Sequence, residues 1–245
     1  MQEFEGRPYA VFDIDGTLYR WQLFHELVQE LTFTGAFPED TFHLINDRWN
    51  KWRGGDLSFH DYEQTVVTIL ETYLKTISVK DYLTACDKVV SQSKHKTHHY
   101  PRALIRTFKK QNYVIIAVSG SQQELLERFG KHYGFDIVVG AIYEHDGTNF
   151  TGVMTRPTIG RKGQILDELI ATNKLSKEGS LAIGDSDGDA DILSKVEQPI
   201  AFNPSSGLFN IAKTNGWPII VERKNIAYRL EKRDRELVLA ETIIY

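Results

Sequence analysis

Asp13 and Asp15 stand two residues apart in Asp-Ile-Asp-Gly-Thr, and a second acidic cluster, Gly184-Asp185-Ser186-Asp187-Gly188-Asp189-Ala190-Asp191, crowds four carboxylates into seven residues. Carboxylates this close repel one another unless a cation lies among them. A hard cation with oxygen ligands answers that repulsion, and magnesium commonly takes one or two carboxylates together with waters and a phosphate oxygen. Read alone, the first pair is equally a solvated turn. A calcium loop is the competing reading of the second cluster, but the expected order of acidic positions, central glycine and closing glutamate is not reproduced. Phosphoryl transfer also needs groups that hold the non-bridging oxygens. Ser119 with the amide of Gly120 is one candidate. Lys162 is another, at a helix start where ammonium and helix dipole act together on an anion. Singly, these are also an ordinary turn and a solvated lysine.

Three strands must deliver these residues. Tyr9 to Phe12 is a short apolar run that stops at Asp13, Tyr113 to Val118 stops at Ser119-Gly120, and Ser180 to Ile183 stops at Gly184-Asp185. Such runs suit buried strands of a parallel sheet. Helical spacing over Pro101 to Lys110, Ser121 to His132 and Arg161 to Thr172 separates them, and alternating strands and helices predict a parallel α/β, Rossmann-like core. Ligands of such sheets bind outside the carboxyl ends of the strands, at the switch point, where the polar clusters would meet. Between Tyr19 and about Tyr100 no strand is evident, and helices punctuated by Pro38 and Gly54-Gly55 predict an inserted helical domain. The expected division is a core of 1–18 and 100–245 and a helical cap of 19–99. An Asp-Gly turn within residues 141 to 152 predicts a hairpin, and Pro199 to Phe202 and Trp217 to Val221 would extend the sheet.

The order Asp-x-Asp-Gly-Thr, Ser, Lys, Gly-Asp-Ser-x-x-Asp, each in its strand or helix context, resembles the haloacid dehalogenase superfamily over about residues 9 to 222. The helical insertion looks like the cap of its phosphoserine-phosphatase-like branch, and Ala201-Phe202-Asn203-Pro204 with Leu208 and Gly216-Trp217-Pro218 is also similar to that branch. The resemblance implies a magnesium-dependent phosphatase for a small phosphomonoester. Asp13 would attack phosphorus and become an aspartyl phosphate, while Asp15 protonates the leaving oxygen and then activates water. It also implies magnesium held by the Asp13 side chain, the Asp15 backbone carbonyl and Asp185, directly or through water, with Asp189 supporting or joining them. Ser119, Gly120 and Lys162 would hold the phosphoryl group. Family members that dehalogenate lack the second aspartate, so Asp15 disfavours dehalogenation. Delivery of the phosphoryl group to an alcohol, and a non-catalytic binding or scaffold module, are the alternatives.

Substrate choice is expected in the cap. There Gln22 and Gln64 occupy the positions where phosphoserine phosphatases carry a glutamate for the substrate amine and an arginine for its carboxylate. An amide loses the charge-assisted part of such bonds. Gly188 likewise replaces the usual asparagine of the last motif, and together these departures predict an ester other than phosphoserine. Arg20, Trp21, Trp49, Trp52 and Arg53 are candidates for lining the cap face, with internal packing preferred for the tryptophans. His95, His98 and His99 could ligate a metal from one helix face, but Pro101 and polar surroundings favour a solvated linker. The tail Glu222 to Arg235 mixes both charge signs and reads as a solvated helix or extension.

A formal charge of −4 offers no basic field for a nucleic-acid partner. No apolar run is long enough for a membrane span and no leader peptide is evident, so a cytoplasmic monomer or homodimer is expected. The single cysteine, Cys86, forms no internal disulfide and reads as a small helix residue.

Overall fold

Tyr9, Ala10, Val11 and Phe12 are all fully buried, because the strand they form, β1 (Pro8–Phe12), lies in the middle of a nine-stranded sheet. The computed structural model describes residues 4–234 and 236–245. Met1 to Glu3 of the polar N-terminal stretch and Arg235 of the charged tail lie outside the described residues. The chain next forms α1 (Leu23–Phe33), α2 (Glu39–Gly54), α3 (Phe59–Tyr73) and α4 (Val79–Ser93), then α5 (His99–Lys110) and β2 (Val114–Gln122). Next come α6 (Gln123–Tyr133), the hairpin β3 (Ile137–His145) and β4 (Phe150–Arg156), α7 (Lys162–Asn173) and β5 (Ser176–Gly184). The short α8 (Ala190–Ser194), β6 (Gln198–Phe202), α9 (Ser206–Asn215), β7 (Ile219–Arg223), β8 (Ile226–Arg233) and β9 (Glu236–Ile244) complete it.

The strand order is β4-β3-β2-β1-β5-β6-β7-β8-β9. β3, β2, β1, β5, β6 and β7 run parallel, while β4, β8 and β9 add antiparallel edges. From β1 the chain first builds outward through β2 and β3, then returns to place β5 on the other side of β1. That makes the carboxyl end of β1 a switch point, where a crevice opens between diverging connections.

Side chains alternate across β1. Ala10 and Phe12 join one hydrophobic core with α1–α6, whereas Tyr9 and Val11 join a second with α7–α9. The first core runs without a break from the sheet into α1–α4. Ser58 and Ser78 start α3 and α4 by accepting the Asp61 and Asp81 N–H groups, and Gly55 ends α2 in the left-handed region.

The tail departs from the expected solvated helix or extension. Ile226–Arg233 pairs with β7 and with β9, so it is sheet. Its charges had hidden an alternation in which Tyr228 and Leu230 lie among Ala227, Arg229 and Glu231. Charged residues on an edge ribbon also discourage pairing with other chains.

Candidate active site

The four polar chain ends meet at the carboxyl edge of β1, β2 and β5. Asp13 follows β1 and is buried, its N–H bonded to the Ile183 carbonyl of β5 at 3.0 Å. Lys162, the first residue of α7, reaches it from the other side: Nζ lies 2.7 Å from Asp13 Oδ1 and 2.6 Å from Asp189 Oδ1. All three side chains are almost entirely shielded from solvent. Burial pushes the Asp13 carboxyl up to about 7; Lys162 opposes the rise, while Asp189 and Asp15 add to it. Burial alone would lower the Lys162 ammonium, but Asp13 and Asp189 outweigh it and hold its pKa above the usual range. Asp13 Oδ2 is buried and has no hydrogen-bond partner among the described residues.

Asp15 is held by three donors. Its Oδ2 accepts from Ser119 at 2.6 Å and Ser121 at 2.7 Å, and its Oδ1 accepts from the Leu23 N–H at 2.5 Å. Burial raises its pKa, and those donors only partly offset it. The donors come from the end of β2 and the start of α1, so the position of this carboxyl depends on both.

Gly16 has φ +85, and a Cβ there would collide with Asp185 Oδ2, with Cγ at 2.7 Å and Oδ1 at 2.8 Å. Only glycine lets the two motifs close on each other. Thr17 then donates to Asp185 Oδ1 at 2.9 Å. Burial, followed by the Asp13 and Asp189 charges, pushes Asp185 well above the usual carboxylate range.

One carboxylate oxygen each from Asp13, Asp185 and Asp189 lies within 4.8 Å of the others. The orphaned Asp13 Oδ2 and the mutual repulsion of these groups fit a divalent cation. Asp189 is already committed: Oδ1 meets Lys162, and Oδ2 accepts from the Asp185 and Ser186 N–H groups and the Ser186 hydroxyl. It therefore braces the loop, leaving Asp13 and Asp185 as the better-placed ligands. Of the other two acidic residues, Asp187 accepts from Ser205 and from the Leu208 N–H at the start of α9. Asp191 lies in α8 and is exposed.

A cavity of about 500 Å³ opens above these groups. Gln22 and Gln64 line it, as do Gly120, Gly188 and Lys162. Ser119 and Ser121 are both fully buried with their hydroxyls on Asp15, and Ser121 also borders the cavity. Arg53 does not line it, contrary to expectation. Its side chain is exposed and its guanidinium lies 5.9 Å over the Trp52 ring, held in solvent rather than in the cavity. Trp21, Trp49 and Trp52 pack among Phe59, Tyr62 and His25, as preferred from the sequence.

Arg20 and His98 are also corrected. Rather than lining the cap or floating in a linker, they converge on Glu222, at 2.9 and 3.2 Å. The Glu222 side chain is fully buried and also accepts the His99 and Tyr100 N–H groups at 3.0 and 2.8 Å, capping α5 from a residue far along the chain. His95 is exposed, its ring against His132. Ser121, Thr17 and Glu222 were missed. Ser121 abuts Ser119-Gly120 and Thr17 closes the Asp-Ile-Asp-Gly-Thr motif, whereas Glu222, read only as the start of the charged tail, carried no local signal of this role.

With this geometry, the chain belongs to the haloacid dehalogenase-like hydrolase family, whose model matches residues 10–194. It is 24% identical over 204 residues to a phosphoserine phosphatase of Archaeoglobus fulgidus, covering 82% of this chain and 54% of that protein. The chain thus spans about half the length of that curated relative. Among solved structures it is similar to a protein described as of unknown function from Bordetella pertussis Tohama I (TM-score 0.71, 21% identity, covering 87% of this chain and 98% of that one). It is also similar to a phospho-aspartyl intermediate analogue of phosphoserine phosphatase (TM-score 0.57, 19% identity, covering 90% and 95%). At these identities the structural likeness establishes the α/β fold.

Proposed function

We propose that the chain is a magnesium-dependent phosphatase acting on a small phosphomonoester. The observation that carries this reading is the pairing of a buried, partnerless Asp13 Oδ2 with an Asp15 carboxyl locked in place by Ser119, Ser121 and Leu23. Asp13 attacks phosphorus with a carboxylate oxygen, the ester P–O bond breaks, and Asp15 gives its proton to the departing alkoxide. The raised pKa of Asp15 favours the protonated form that this step consumes. Asp15 then takes a proton from water, whose oxygen attacks phosphorus and releases phosphate from Asp13.

Lys162 and Gly120 would hold the phosphoryl oxygens, with Ser119 and Ser121 acting through Asp15. Asp13, Asp185 and the Asp15 backbone carbonyl would hold magnesium, which supplies charge neutralisation at the phosphoryl group.

Residues 1–18 and 100–245 are proposed as the core and 19–99 as a cap. Two linkers joining them run side by side, with the Arg20 N–H on the Lys96 carbonyl and the His98 N–H on the Leu18 carbonyl, both at 2.9 Å. Such a ribbon suits a hinge. Among the described residues no helix is long and apolar enough to cross a membrane; a cytoplasmic address is part of the proposal.

A panel of phosphomonoesters, assayed with and without magnesium, tests this. Asp13→Asn is expected to lose turnover on the order of a thousandfold or more, and Asp15→Asn roughly 10²- to 10⁴-fold. Wild-type turnover by purified Asp13→Asn would sink the assignment. Product analysis with competing alcohols separates hydrolysis from transfer.

A further inference from the structure

Beyond the reaction centre the cavity continues between α3 and the β3–β4 side of the sheet. Phe59, Glu63, Val67 and Leu70, with Glu71 beside Leu70, follow one another at helical spacing and present one stripe of α3 to it. Met154 and Ile159 lie among the lining residues contributed by the later chain. Apolar side chains make up much of these walls, and the charged residues among them, Lys162 aside, are carboxylates.

Glu63 and Glu71 both line the cavity. Glu71 is met by the Tyr143 hydroxyl. Glu63, half-buried, makes no side-chain hydrogen bond or ion pair among the described residues. Its pKa is raised, first by burial and then by the Asp15 charge, with His60 opposing. On the same walls Gln122 is 4% exposed and Thr158 1% exposed, and Gln122 Oε1 and Thr158 Oγ1 have no hydrogen-bond partner. Apart from Lys162, already bonded to Asp13 and Asp189, no lysine, arginine or histidine among the described residues lines the cavity. Among the described residues the chamber therefore offers a ligand negative charge and neutral polar groups, with no unpaired cation to receive a second anion.

We propose that this chamber takes phosphomonoesters of amino alcohols, the phosphoryl group at Asp13, the alkyl chain along the apolar stripe of α3 and the ammonium group against Glu63. Gln122 and Thr158 supply further acceptors on the wall. The proposal rests on the phosphatase reading for the chemistry, while the chamber's charge is independent of it. A carboxylate or a second phosphate on the alcohol would face Glu63 and Glu71 without a cationic partner, and burying a charge without an opposite one is costly.

Matched esters test it: 3-aminopropyl phosphate, its uncharged isostere butyl phosphate, and 2-carboxyethyl phosphate, each with magnesium. The amine is expected to exceed the butyl ester in kcat/KM by about tenfold, or ~1.4 kcal/mol, and to exceed the carboxylate by more. Glu63→Gln should bring the amine-to-butyl ratio to about one, chiefly through KM, whereas Glu63→Asp should keep a preference for the amine. Equal or better turnover of the butyl or carboxyethyl ester, or an unchanged ratio in Glu63→Gln, would overturn the proposal. If none of the three is hydrolysed, the phosphatase reading falls and calorimetric binding to the wild-type chain with magnesium decides the chamber. A tenfold tighter amine supports it there, and equal affinities overturn it.

Discussion

Replacing Glu222 by alanine removes four interactions at once. The side chain is fully buried and accepts from Arg20 at 2.9 Å, His98 at 3.2 Å, and the His99 and Tyr100 N–H groups at 3.0 and 2.8 Å. The two N–H groups belong to the first turn of α5, so the substitution deletes a helix cap, a loss of about 1 kcal/mol. The Tyr100 N–H is buried and would be left unsatisfied, at roughly 1–3 kcal/mol. Arg20 is 39% exposed and rehydrates, so its ion pair adds only a few tenths, roughly the value of a surface pair. The total is about 3 kcal/mol, or ~6–12 °C in melting temperature for a chain of this size. Glu222→Gln, which keeps an acceptor oxygen, should lose about half as much.

The effect has a pH signature. Burial alone would raise the Glu222 pKa, but the His98 bond and the Tyr100 and His99 N–H groups outweigh it and hold the carboxyl below its usual 4.5. A depressed folded pKa stabilises fully above the unfolded value, and that stabilisation is lost as pH falls through the folded one. The gap between wild type and variant should therefore be widest at neutral pH and narrow below about 4.5. Calorimetry and urea denaturation measure both. A shift of less than about 1 °C at pH 7 is what a solvated tail carboxylate would give, and it would refute the clamp.

Two further perturbations address the site and the helices above it. Gly16→Ala forces a left-handed alanine, at about 1–2 kcal/mol, and pushes its methyl into Asp185. The half-saturating magnesium concentration should rise at least about tenfold, and an unchanged value would show that Asp185 does not depend on this approach. His25 is fully buried among aromatic rings with neither ring nitrogen bonded, and burial lowers its pKa from 6.5 to about 3. Because the unfolded chain takes up the proton first, this residue costs about 1.4 kcal/mol of stability per pH unit as pH falls from 6.5 toward 3. His25→Leu should flatten stability over that interval when followed by urea denaturation; an unaltered slope would show that His25 is not buried as a neutral ring.

The strand ends were readable because their signals are local. A run such as Tyr9 to Phe12 can only be buried, and a glycine after an acidic pair marks the turn that ends it. Serines before α3 and α4 likewise announce helix starts through their own Asp61 and Asp81 neighbours. Charges on β8 concealed its alternation, since an edge ribbon needs little apolar surface. Arg53 misled for a related reason: residue type makes an arginine near a cleft attractive, but the facing of α2 is settled by packing.

Asp13, Asp15, Lys162 and Asp185, with the sheet that gathers them, were determined by the sequence itself, because each sits where a strand ends or a helix begins. Tertiary structure alone decided what those residues touch. It turned Ser119 onto Asp15, gave both Asp189 oxygens to Lys162 and the neighbouring loop, and brought Glu222 to the start of α5. Among the described residues it also left the Glu63 carboxyl, Gln122 Oε1 and Thr158 Oγ1 without hydrogen-bond partners around one cavity. Such pairings join residues as far as 202 positions apart, the separation of Arg20 and Glu222. They depend on how layers pack in three dimensions, for which no local spacing carries a signal.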